Sequence, residues 1–124
     1  MNRVVPLPES VKSLCQELDI EPRDTITFPI SDYLTEHGGI ITSDLVAIAL
    51  PNAAENPHRL FDVSAQSLAA LGSVTILGVW HTHTHDSKPS VRDHRTVGEW
   101  AREGVPLFVT LSPRREWFWI TDTD

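Results

Sequence analysis

The chain has 124 residues, of which 40% are hydrophobic and 22% are charged, a balance typical of a single globular domain. Its formal net charge of −7 argues against a nucleic-acid partner, because affinity for phosphate backbones depends on Lys and Arg. The lone cysteine, Cys15, excludes an intrachain disulfide and a zinc site made of thiolates alone. Since no stretch resembles a secretion signal or a membrane span, we expect no membrane association and a cytoplasmic location.

The first element is predicted to be a helix over residues 8–19. Its apolar residues recur at helical spacing and would line one buried face. These residues are Val11, Leu14, Cys15 and Leu18. The following DTITFPI segment, residues 24–30, is predicted to be an extended connection, because Pro29 cannot donate a hydrogen bond in a central strand.

A short second helix is predicted over residues 32–37, with Ser31 as its N-cap. Gly38 and Gly39 would end it, because glycine readily adopts the left-handed conformation found after helices. Glu36 would then lie in the last turn, directly before a strand.

The middle of the chain is predicted to contribute strands and one helix. Apolar and β-branched stretches predict two strands on either side of a turn at residues 43–44, and a short strand at residues 61–63. Ser64 is predicted to cap a helix over residues 65–71 that ends at Gly72. The nearly all-apolar stretch at residues 74–80 predicts a strand buried on both faces, at the centre of a covered sheet.

The last third is predicted to form a helix followed by a hairpin. Ser90 would open a helix over residues 91–103 that ends at Gly104. The PLFVTL and EWFWI stretches predict two strands around the SPRR turn, with Trp117 and Trp119 on one face. Interleaved strands and helices favour a single α/β domain over residues 1–124 in which helices sandwich the sheet.

Three histidines follow the central strand at every second position: His81, His83 and His85. Alternate residues of an extended backbone point to the same side, so His81 and His83 could bind one ion. Catalytic zinc commonly has three His or carboxylate ligands and leaves its fourth position to water. Asp93, in the first turn of the next helix, is a plausible third ligand because helical side chains lean towards the N-terminus. His85 is predicted to be an exposed loop residue.

Hydrolysis at such a centre needs a carboxylate that does not bind the metal and can transfer a proton. Glu36 is one candidate among several acids, and its spacing from the histidines does not single it out. The simplest interpretation of Ser90 is a structural role, since serine is a common residue at the start of a helix.

The order of these motifs resembles that of the JAMM (MPN-domain) zinc metalloproteases. The resemblance covers about residues 30–120 and consists of EHGGI, PNAAENPHRLFDVS, GVWHTH and PSVRD. It is strongest to the JAMM domain of phage tail-assembly proteins of the lambda K type. It implies a mixed β-sheet between helices, as in the cytidine deaminase-like folds.

The resemblance also implies a site. His81, His83 and Asp93 would be ligands of Zn²⁺, Glu36 the general base acting on the zinc-bound water, and Ser90 the group that stabilises the oxyanion. The implied activity is hydrolysis of an amide bond by a metallopeptidase or isopeptidase. The implied partner is a protein substrate, either ubiquitin-like or a phage tail protein. In the second case, this chain would itself be part of a phage tail assembly.

The sequence departs from the family pattern between the second histidine and the aspartate. Family members usually have proline after that histidine and ten intervening residues, whereas this chain has Thr84 and nine. An alternative is therefore a non-catalytic tail-assembly or scaffold domain with the same fold. Zinc-dependent base deamination is disfavoured, since the chain lacks the Pro-Cys-x-x-Cys element of those enzymes.

Overall fold

A computed structural model describes residues 2–85, 88–113 and 117–121, which form three helices and seven strands. The helices are α1 (Glu9–Glu17), α2 (Ala65–Ala70) and α3 (Val91–Arg102). The strands are β1 (Arg3–Pro6), β2 (Thr25–Phe28), β3 (Gly38–Thr42), β4 (Ala47–Leu50), β5 (Ile76–Thr82), β6 (Leu107–Leu111) and β7 (Trp117–Thr121). The predicted α/β class is confirmed in this general form, a small mixed α/β domain.

The main sheet has five strands in the order β4-β3-β5-β6-β7. Strand β5 is central, as its apolar sequence predicted, and all of its residues except Ile76 are buried. It runs parallel to β6, to which it is connected through α3, while the other neighbouring strands are antiparallel. The carboxyl end of β5 therefore lies next to the start of α3, an arrangement that often forms ligand sites in α/β sheets.

One face of the main sheet is covered by α1 and by a separate antiparallel sheet of β1 and β2. The predicted N-terminal helix is confirmed, since α1 lies within residues 8–19. The prediction for residues 24–30 is corrected, because residues 25–28 of that stretch form a paired strand. Pro29 follows directly, consistent with its inability to extend the ladder. Trp117 and Trp119 pack against this core, as expected for residues that share one face.

The opposite face carries a second apolar cluster beneath α2 and α3. Its buried members are Ile40, Val79, Val105 and Phe108. Every residue of α2 is described, and none of them is fully buried. In α3, which is also described throughout, Asp93 is the only buried residue. The two helices thus cover this face of the sheet incompletely.

The predicted helix over residues 32–37 is wrong, because these residues have no helical structure. Their backbone groups bond elsewhere: Leu34 N donates to Asp32 Oδ1 at 2.9 Å, and Glu36 N donates to the carbonyl oxygen of Pro57 at 2.7 Å. Such side-chain and long-range acceptors compete with the helical hydrogen bonds. Gly38 and Gly39 consequently begin β3 and do not end a helix.

The short strand predicted at residues 61–63 is also wrong, since that segment is irregular. Asp62 N donates to the side-chain oxygen of Asn52 at 3.2 Å, and the carbonyl oxygen of Asp62 accepts from Ala53 N at 2.8 Å. A side chain therefore provides part of the pairing that a neighbouring strand would have provided.

The remaining predicted elements are observed with small changes in their bounds. Ser64 caps α2, and Gly72 follows that helix with a φ of 70°. Ser90 caps α3, and Gly104 follows with a φ of 84°. Part of the predicted SPRR turn, residues 114–115, lies outside the described residues. None of the helices in the described ranges is both long and apolar enough to cross a bilayer.

Candidate metal centre

His81 and His83 project from the same side of the chain where β5 ends. His81 lies in β5, and His83 follows one residue after the strand. The backbone nevertheless stays paired, because Thr82 N donates to the carbonyl oxygen of His37 and His83 N donates to that of Leu111, each at 2.8 Å. This extended conformation keeps the two imidazoles on one side.

Asp93 is oriented by the capping box that begins α3. The Ser90 hydroxyl accepts from Asp93 N at 3.1 Å, and Ser90 N donates to Asp93 Oδ2 at 2.8 Å. These reciprocal bonds direct the carboxylate back towards the end of β5. Asp93 therefore stabilises the start of the helix and faces the histidines at the same time.

The three side chains converge on one point. The two Nε2 atoms of His81 and His83 lie 3.2 Å apart, and each is 3.2 Å from an oxygen of Asp93. Ligand atoms at 2.0–2.1 Å from a tetrahedral zinc would be about 3.3 Å apart. The buried group of His81, His83 and Asp93 could therefore bind a metal ion.

The electrostatics of Asp93 also suit a residue that binds a cation. Burial alone would raise its pKa, but hydrogen bonds from His81 and His83 and the backbone bond from Ser90 N outweigh that effect. The net result is a pKa well below the usual range for aspartate, so the carboxylate is ionised at neutral pH. An ionised carboxylate and two imidazoles together form a typical donor set for zinc.

Glu36 lies opposite His83 across the β3–β5 ladder. Gly38 pairs with His81 in that antiparallel register, and continuing it by two residues sets Glu36 against His83. Because alternate residues face the same side, Glu36 lies on the sheet face that carries the histidines. Its side chain is not within the group of possible ligands. It thus lies beside the candidate metal site as a separate carboxylate.

Glu36 is only 8% exposed. Burial raises the pKa of Glu36 to about 7, although the nearby His83 opposes the shift and Asp93 adds to it. A carboxyl group with such a pKa can both accept and donate a proton near neutral pH. These two capacities are the ones that a general acid–base residue requires.

Asn52 holds the segment that carries Glu36, and sequence reasoning assigned it no role. Its Nδ2 donates to the carbonyl oxygens of Glu36 and Leu60, at 2.9 and 2.8 Å. Its Oδ1 accepts from the backbone nitrogens of Ala54 and Asp62, at 3.0 and 3.2 Å. The side chain thereby fixes the position of Glu36 relative to the loop of residues 51–64. A polar residue just after the proline that ends a strand was the only signal in the sequence.

Two phenylalanines enclose the imidazole of His81. The Phe61 ring is nearly parallel to it, with centroids 6.4 Å apart and an interplanar angle of 9°, while Phe108 meets it edge-on at 5.3 Å. Gly38 makes this arrangement possible. A Cβ at that position would lie 2.8 Å from Phe61 Cε2 and 2.9 Å from His81 Cβ. The first glycine of the GG pair is therefore needed for close packing around the histidine.

A cleft of about 940 Å³ opens at these side chains and continues between α2, α3 and the sheet. Glu36, His81, His83 and Asp93 line it and are all buried. Ser90, which also lines the cleft, is exposed. His85 is exposed there as predicted. The structure thus brings the four buried residues together and puts Ser90 beside them at the surface.

No protein-family model matches the sequence, and no curated protein matches it. The chemistry of the site therefore follows from its own geometry: two imidazoles, one ionised carboxylate and a second carboxyl group with a raised pKa, all at one end of an open cleft.

Proposed function

We propose that this protein is a zinc-dependent hydrolase that cleaves amide bonds in peptides or isopeptides. The observation that carries the proposal is the convergence of His81, His83 and Asp93, with Glu36 beside them but outside the ligand group. Two histidines and one carboxylate leave a tetrahedral ion one free position. Zinc is proposed because this mixed nitrogen and oxygen set is common among catalytic zinc sites.

The metal would act as a Lewis acid and would lower the pKa of water at its free position. The other steps belong to the residues of this chain. Glu36 accepts the proton of the attacking water and then donates it to the departing amine, which needs both of its protonation states near neutral pH. The loop around Asn52 keeps this carboxyl group in place.

Ser90 has a role compatible with its capping bond. Its oxygen accepts from Asp93 N, which leaves the hydroxyl hydrogen available to donate. We propose that this hydrogen stabilises the negative charge that develops on the carbonyl oxygen of the substrate. The position of Ser90 in the lining of the cleft supports this assignment.

We further propose that the protein is a JAMM-type metalloprotease whose substrate is a ubiquitin-like or phage tail protein. The motif order EHGGI, GVWHTH and PSVRD supports the family proposal. The register of β3 and β5 also supports the family proposal, because it brings Glu36 to the same site as the residues of the other two motifs. The nature of the substrate rests on the sequence resemblance alone.

The test compares three variants after zinc loading. His81→Ala should lose zinc, because it removes one of three ligands. Glu36→Gln should retain zinc, but its rate of cleavage of amide substrates should fall by a factor of roughly 10² or more. The reason is that the side-chain amide of glutamine cannot accept a proton from water. Glu99→Gln is the matched control: it neutralises another carboxylate that lines the cleft but is exposed, and it should retain both properties.

Zinc content is measured after dialysis, and amide cleavage is measured on a mixed peptide library by mass spectrometry. A wild-type protein that binds no zinc would overturn the proposal. A wild-type protein that binds zinc but cleaves no member of the library would favour the scaffold alternative, in which the domain provides a docking surface.

A further inference from the structure

The sheet face that carries the metal centre also has a large cleft whose lining combines apolar side chains with exposed charged ones. Its volume of about 940 Å³ lies near the upper end of the range for ligand-binding pockets in proteins. The apolar lining comes from α2, α3, the sheet and the segment between α3 and β6. These residues are Leu68, Ile76, Val79, Trp100, Val105 and Phe108.

The cleft extends along α3 away from the metal centre. Asp93, Thr96, Trp100 and Glu103 all line it, and their spacing of three or four residues places them on one face of the helix. The rise of an α-helix puts Trp100 about 10 Å from Asp93 along the axis. The cleft therefore has room for a large side chain beside the metal centre.

The apolar side chains of the cleft are not fully covered by the protein itself. Leu68, Ile76 and Trp100 are half-buried, although they belong to the second apolar cluster. Neither α2 nor α3, both described throughout, buries an apolar side chain completely. An apolar group in the cleft would remove these surfaces from water, with a gain in free energy roughly proportional to the area covered.

We infer that the cleft binds a bulky apolar side chain of the substrate, on the residue adjacent to the amide that is cleaved. The cleft is continuous with His81, His83, Asp93 and Glu36, and its apolar lining begins directly beside them, since the rings of Phe108 and His81 have centroids 5.3 Å apart. This inference rests on the proposed function and makes it more specific. The preferred substrate has Phe, Leu, Met or Trp next to the cleaved bond.

The test uses small hydroxamates, which bind a zinc ion through two oxygens, and does not depend on turnover. Acetohydroxamate has no side chain to fill the cleft, whereas 4-phenylbutanohydroxamate carries an apolar tail. With zinc-loaded wild-type protein, the phenyl compound should bind roughly tenfold to a hundredfold more tightly, as expected for burial of one aromatic group. Titration calorimetry provides the affinities, and tryptophan fluorescence provides a second signal because Trp100 lines the cleft.

Two variants fill the cleft from opposite walls. Leu68→Trp enlarges a side chain of α2, and Thr96→Phe enlarges one of α3. Each should reduce the advantage of the phenyl compound and leave acetohydroxamate binding unchanged. Gln66→Trp is the matched control, since it adds the same indole to an exposed position of α2. Thermal denaturation identifies any variant that does not fold. If one of the two cleft variants does not fold, the binding measured with the other one tests the inference.

Equal affinity of the wild type for both hydroxamates would overturn the inference while the metal centre stands. An advantage of the phenyl compound that persists in both cleft variants would overturn it as well. If the wild type binds no zinc, the proposed function fails, and this inference fails with it.

Discussion

At the scale of single residues, the position of Glu36 depends on Asn52, which is not one of the candidate metal ligands. Asn52 uses both hydrogens of its amide as donors and its oxygen as a double acceptor, all to backbone groups of residues 36–62. An asparagine whose hydrogen bonds are satisfied in this way acts as a cross-link within an irregular segment. Its loss should leave backbone groups unpaired.

Asn52→Ala should lower the free energy of unfolding by about 2–4 kcal/mol, because four hydrogen bonds are removed and two carbonyl oxygens lose their donor. Chemical denaturation measures this change. The matched control is Asn56→Ala in the same loop, at an exposed position, which should change stability by less than about 0.5 kcal/mol. Similar losses in the two variants would show that Asn52 has no special role.

The raised pKa of Glu36 predicts a pH dependence of stability in the metal-free protein. Because its folded pKa of about 7 exceeds the unfolded value near 4.5, the native state binds this proton more tightly. The resulting stabilisation is present at low pH and is lost as pH rises through about 7. The glutamine of Glu36→Gln cannot ionise. The free energy of unfolding of this variant, relative to that of the wild type, should therefore rise by on the order of 2 kcal/mol from pH 5 to pH 8.

Denaturation at the two pH values, with a chelator present, measures this difference between wild type and Glu36→Gln. A constant difference between them at pH 5 and pH 8 would mean that Glu36 is accessible to water and has an ordinary pKa.

At the scale of elements, one capping box contributes both to the stability of α3 and to the candidate metal centre. Ser90 caps α3 through Asp93, a candidate ligand, whereas Ser64 caps α2 through Ser67 N at 3.0 Å, away from the ligands. The two serines have the same structural role in helices that line the same cleft. They therefore form a natural pair for comparison.

Ser90→Ala and Ser64→Ala should each lower the free energy of unfolding by about 1 kcal/mol, the usual value of an N-cap. Only Ser90→Ala should also weaken zinc binding, because it removes one of the contacts that orient Asp93. Competition with a chromogenic chelator measures the affinity. Equal zinc affinity in both variants would show that the carboxylate is held by the histidines alone.

Elements whose causes are local could be predicted from the sequence. The start of α3 follows from Ser90 and Asp93, and the central strand from its apolar run. The segments at residues 32–37 and 61–63, where the predictions were wrong, depend on distant partners. The segment at residues 32–37 is held by Pro57 and Thr82, and the one at residues 61–63 by Asn52. No pattern within either segment indicates these bonds.

At the scale of the whole molecule, the candidate site joins parts of the chain that are far apart in sequence. The alternating histidines and the helix start predicted three of its members, since all lie within residues 81–93. The location of Glu36 required the order of strands, in which β3 lies beside β5. The contact of Phe61 with His81 required the loop to fold over Gly38. Such contacts are tertiary, and the spacing of residues along the sequence does not indicate them.

A ligand that joins β5 to α3 should stabilise the whole domain. Zinc at a hundred times its dissociation constant should add about 2.7 kcal/mol to the free energy of unfolding and raise the melting temperature. His81→Ala should abolish this effect, and His58→Ala, which removes an exposed imidazole, should preserve it. Calorimetric melting with zinc and with EDTA measures the shift. Identical melting of the wild type under the two conditions would contradict the metal assignment.

The capping box has a consequence for how the chain can change over evolutionary time. Because Ser90 and Asp93 are bonded to each other, their relative orientation is set by contacts within the start of α3. Insertions and deletions between His83 and Ser90 should then be tolerated, provided that the helix can still dock.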